Sequence, residues 1–168
     1  MALNPRHVTS DARGGGHFRI FVTIIIGFLL TVIPLPDAAK PYRPDLLVLL
    51  VIYWSLSSPR ISGLAFAWFC GFLVDLLRGV VLGQHAFAFL FVGFITHRIQ
   101  LRMRIFTVWH QAFTVLMLLG VYQFIVFWID GMVGKGLTGW ERWFSVGTSA
   151  LLWPPLVAVM DTFNRRRR

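Results

Sequence analysis

Six apolar stretches divide this chain, at residues 18–35, 46–57, 61–77, 79–96, 108–129 and 143–160, with only short polar pieces between them. A helix crosses a hydrocarbon core of about 30 Å with about 20 residues. The pattern therefore predicts an all-α, polytopic integral membrane protein. It would be a six-helix transmembrane bundle over 18–163, with a basic N-terminal tail at 1–17 and a basic C-terminal tail at 164–168. The second stretch is too short to cross unaided, so it must stand upright or be enclosed by its neighbours. No polar piece approaches the roughly 50 residues that an independent soluble domain needs. A soluble catalytic or nucleotide-binding module is excluded by size, and the sequence holds no GxxxxGK[ST] loop, CxxC pair or HExxH helix.

The formal charge of +9 points to topology rather than to nucleic acid, because most of the 16 basic residues flank apolar stretches. With six spans, one side carries Arg6, Arg13, Arg19, Arg60, Arg98, Arg102, Arg104 and the four arginines at 165–168. The other side carries Lys40, Arg43, Arg78, Lys135 and Arg142. The richer side should be cytoplasmic, which places both termini there. A secretory signal ending near Ala38 and Ala39 is the competing reading of the first stretch. Its apolar region is longer than the usual ~7–15 residues, and its removal would leave an odd span count. Trp109, Trp128, Trp140 and Trp143 fall at span ends, where indoles favour the headgroup level; Trp68 and Trp153 lie deeper and should pack between helices. Cys70 lies within a span and reads as packing, and the five histidines have no metal-like spacing. No metal or cofactor is expected.

Asp75 is the polar group that most needs explanation. A carboxylate at membrane depth costs about 2.5–3.5 kcal/mol on insertion scales, so it faces protein or water and marks function by default. It belongs to a ladder of small residues, Gly63, Ala67, Gly71, Asp75, Gly79 and Gly83, recurring at every fourth position. Such spacing lets a second helix approach closely, so the ladder reads as a helix-packing or partner-binding seam. Asp75→Asn, equal in size and still hydrogen-bonding, is expected to preserve folding. Arg78, three residues on, can pair with Asp75 or snorkel to the boundary. Arg43-Pro44-Asp45 suits a helix start, with the carboxylate near the positive end of the dipole, or a periplasmic contact. Tyr122 and Gln123 read as interhelical glue, Asp130 and Asp161 as span-end groups reaching water, and Pro154-Pro155 as a kink. The arginines at 165–168 suit anionic lipid or orientation. No catalytic set of nucleophile, base and orienter emerges.

Read in order, several motifs resemble the MreD family of bacterial inner-membrane rod shape-determining proteins. They are Arg43-Pro44-Asp45, Tyr53-Trp54, Ser58-Pro59-Arg60, the Gly71-x3-Asp75-Leu-x2-Gly79-x2-Leu82-Gly83 block and Leu152-Trp153-Pro154. The resemblance implies a non-enzymatic scaffold of the cell-elongation machinery, acting with MreC, MreB and the lateral-wall peptidoglycan synthases. The family is also similar in helical arrangement to the substrate-binding subunits of energy-coupling-factor transporters. The alternative reading is therefore a small-molecule-binding transporter subunit with a polar cavity near Asp75, Tyr122 and Gln123.

Overall fold

A computed structural model describes residues 11–33, 36, 42–58, 62–103, 105–134 and 142–165. These form six helices and no strand: α1 Asp11–Val32, α2 Leu46–Ser57, α3 Leu64–Arg78, α4 Gln84–Met103, α5 Val108–Met132 and α6 Arg142–Arg165. Two of them, over Val108–Met132 and Trp143–Thr162, are long and apolar enough to cross a membrane. The basic residues Arg6, Lys40, Arg60, Arg104 and Lys135, with Trp140 and the arginines at 166–168, lie outside the described residues, as do Ala38 and Ala39.

The short helix α2 is the axis of the fold. Every residue from Leu47 to Leu56 is buried, and α2 packs against each of the other five helices. A helix apolar all round has no face to offer water, so it takes the centre. Among the described residues, α1 packs chiefly on α2. Gly27 makes that approach close, for a Cβ there would stand 2.5 Å from Leu50 Cδ1. The remaining helices join as neighbours: α3 with α4, α4 with α5, and α5 with α6.

Hydropathy and helix ends differ in instructive ways. The fourth helix starts at Gln84 rather than 79, because the intervening chain turns through Gly79 and Gly83, at φ of 58° and 101°. It then runs on to Met103, since a helix need not stop where its apolar residues thin out. For the same reason α1 already begins at Asp11, inside the segment read as a tail. Trp153 is buried as expected, but Trp68 is 44% exposed and stacks on Phe72 on the outer surface. Its indole is a surface group and does not pack between helices. Much of the described outer surface is also apolar, with Phe21, Leu29, Phe113, Phe124 and Leu151 all exposed. Contiguous apolar surface on this scale is what a lipid-facing protein presents.

Candidate functional site

Asp75 is completely buried, and its carboxylate forms the beginning of another helix. Oδ2 accepts from the backbone N–H of Gly83 at 2.9 Å and of Ala86 at 3.2 Å. Oδ1 accepts from the backbone N–H of His85 at 2.8 Å and from the His85 ring Nδ1 at 2.8 Å. A helix start leaves its first N–H groups without intrahelical partners. Here Gln84 N donates to Val81 O, and regular pairing resumes with Phe87 N on Gly83 O. Asp75 serves the others, its negative charge at the positive end of the α4 dipole. Its own carbonyl ends α3, accepting from Gly79 N and Val80 N. One residue thus closes α3 and opens α4.

The His85 ring is fixed by what lies on both sides of it. Its Nε2 stands 3.0 Å from Arg78 Nη1. A guanidinium only donates, so Nε2 accepts, Nδ1 carries the proton, and the imidazole is neutral. Arg78 continues the chain, with Nη2 3.1 Å from Asp45 Oδ1. The possible Asp75–Arg78 pair is replaced by a relay through His85, because the N–H groups of α4 and the imidazole already occupy both Asp75 oxygens.

Asp45 then joins α2 to α6. Its backbone N–H donates to Ser149 Oγ at 2.9 Å. The Ser145 hydroxyl lies 3.1 Å from Asp45 Oδ2 and 2.8 Å from Arg43 O, and its single proton serves one acceptor at a time. The Asp45 side chain makes no capping bond to α2; it is committed to Arg78 and Ser145. Arg43 reaches back to the last turn of α1, donating through Nη2 to the carbonyls of Leu30 and Thr31. Unpaired carbonyls at a helix end favour such a cation. The network reaches α5 through Gln84, whose Nε2 donates to Asp130 Oδ1 at 2.9 Å. Asp130 is only 5% exposed, so it is a buried anchor rather than a group reaching water. All six helices are tied together at this one end.

Of the small-residue ladder, Ala67, Gly71 and Asp75 lie buried in α3. A Cβ at Gly71 would come within 2.5 Å of His85 O and 2.6 Å of Ala86 Cα, and one at Gly93 within 2.9 Å of Ala67 Cβ. Gly63 is the N-cap of α3, and a Cβ there would meet nothing within 4 Å. Gly79 and Gly83 shape the turn, where left-handed backbone favours glycine. The close seam is therefore Ala67, Gly71 and Asp75 against the first half of α4. Pro154 and Pro155 sit inside α6, away from the network, and withhold the amide donors that the Ala150 and Leu151 carbonyls would otherwise receive.

Around Tyr122 and Arg78 the free volume is about 10 Å³, room for about one water. Among the described residues, no three His, Cys, Asp or Glu side chains are grouped to hold a metal. Sequence reasoning missed His85, Gln84, Ser145 and Ser149. Their only advance signal is that they are polar residues in or beside apolar stretches.

The sequence matches the model of the rod shape-determining protein MreD family over residues 13–163. The chain belongs to the MreD family. It is also similar to the rod shape-determining protein MreD of Haemophilus influenzae, with 26% identity over 149 residues, which cover 89% of this chain and 92% of that protein. No solved structure matches it significantly. Membership supports a role in cell shape. It also gives the Asp75 network a setting: an MreD-family chain whose most expensive polar residue is consumed in holding its own helices together.

Proposed function

We propose that this protein is a non-enzymatic membrane scaffold of the cell-elongation machinery, spanning the bacterial inner membrane six times with both termini in the cytoplasm. It maintains rod shape by holding MreC and the lateral-wall peptidoglycan synthases in register with MreB. Family membership supports the shape role. The observation that carries the scaffold reading is the internal satisfaction of Asp75: four hydrogen bonds, all from its own chain, leave the carboxylate nothing to offer a substrate. In this reading Ala67, Gly71 and Asp75 act through assembly, fixing the surface that partners meet, and Gly63 remains open at the start of α3.

The transporter-subunit reading needs a ligand cavity beside Asp75, Tyr122 and Gln123. Beside Tyr122 the free volume among the described residues is water-sized, which favours the scaffold. Affinity purification of the full chain in mild detergent, followed by mass spectrometry, tests the two. Recovery of MreC and wall synthases is expected, together with rounding of cells that lack the protein. Recovery of energising ATPase subunits in their place would reverse the assignment.

A further inference from the structure

The opposite end of the bundle, where α2 finishes and α5 begins, is built differently. It holds a cavity of about 340 Å³ between α2, α4, α5 and α6. That volume is within the range of small-ligand sites, roughly 300–1,000 Å³. Leu56, Met103 and Val157 give the cavity an apolar wall, while Tyr53, Trp153 and Asp161 supply polar groups.

One of those polar groups has unused capacity. The Asp161 carboxylate accepts the Tyr53 hydroxyl at 2.8 Å through Oδ1, and among the described residues no cation pairs with it. The charge in the cavity wall is negative although the chain as a whole is strongly basic. A carboxylate with no paired cation, set beside an apolar wall, selects a cation through ion pairing.

We propose that this cavity binds an aminoalkyl group: a primary ammonium on a short aliphatic stem. The ammonium pairs with Asp161, and the stem lies on Leu56, Met103 and Val157. An ethanolamine lipid headgroup and a free amino alcohol share this chemistry. The assignment is independent of the scaffold reading, since it concerns the other end of the molecule.

The test uses the purified full chain in detergent and has two arms. In the first, thermal unfolding is followed with 3-amino-1-propanol or the neutral 1,3-propanediol; the amine is expected to raise the midpoint and the diol to leave it unchanged. In the second, the protein is offered equal amounts of phosphatidylethanolamine and phosphatidylglycerol, and bound lipid is counted by native mass spectrometry. A headgroup ligand gives an excess of the ethanolamine lipid of about five-fold or more, equivalent to about 1 kcal/mol. Asp161→Asn is expected to abolish either preference, and Asp161→Glu to retain it. Asp161→Ser serves as a second charge-free variant should the amide fail to fold. An excess in the lipid arm assigns a headgroup; an amine-specific shift without it assigns a free amino alcohol. Absence of both effects in the unaltered protein, or their persistence in a folded charge-free variant, overturns the proposal.

Discussion

At the residue scale, Asp75 changes what its own substitution should do. Asparagine has the right size and was expected to fold, but the carboxylate accepts two bonds through each oxygen. An amide nitrogen in place of Oδ2 would face the N–H groups of Gly83 and Ala86, donor against donor. Asp75→Asn is therefore expected to destabilise by about 2–3 kcal/mol, the range for buried donors that lose a charged acceptor. A lower unfolding midpoint in detergent is the readout; an unchanged midpoint with lost function would assign the charge a direct role instead. The Arg78–Asp45 pair should matter far less. Arg78 keeps 37% of its side chain exposed, and a double-mutant cycle with Arg78→Ala and Asp45→Ala should give a coupling under about 1 kcal/mol. That Asp75 faces protein was legible from the cost of a charge in an apolar stretch. Its partner His85 was not, because nothing local says which polar side chain ten residues away returns to the same point. Asp130 was misread for a related reason: its contact with Gln84 spans 46 residues of sequence.

At the element scale, the four-residue spacing of small side chains signalled a close helix approach, and α3 on α4 is such a pair. Spacing did not distinguish packing glycines from turning ones. Gly71 permits contact with the backbone of His85 and Ala86, whereas Gly79 and Gly83 are required by their positive φ. Two alanine substitutions separate space from propensity. Gly71→Ala pushes a methyl into backbone that cannot yield locally and should cost about 1–3 kcal/mol, as overpacking does. Gly120→Ala, in the middle of α5 with nothing within 4 Å of the added Cβ, should be neutral or stabilise by up to about 1 kcal/mol. Thermal unfolding of the two variants side by side checks both expectations. Helix ends were the least legible feature, because hydropathy reports the apolar segment and capping reports the helix. Asp75, acting from the preceding helix, supplies the cap of α4 that no sequence window around Gln84 contains.

At the scale of the whole molecule, the number of helices was readable from the stretch lengths, and the enclosure of the second was one of the arrangements its shortness allowed. The joining of all six helices at one end was not, since it depends on serines and a glutamine with ordinary local surroundings. If the six-span reading holds, reporters active only in the periplasm should stay silent when fused to either terminus; a strong signal from the C-terminal fusion would mean an odd number of crossings. The central position of α2 also bears on how the protein is made. At 12 residues it extends about 18 Å, well short of a hydrocarbon core. Its start is completed by Ser145 and Ser149, supplied about a hundred residues later. A ribosome therefore releases α2 long before its surroundings exist, and the nascent chain must be sheltered until α6 follows. Chains truncated after α5 should be cleared by membrane proteases much faster than the full chain, which pulse-chase labelling would measure. The sixth helix to emerge thus completes a start made about a hundred residues earlier.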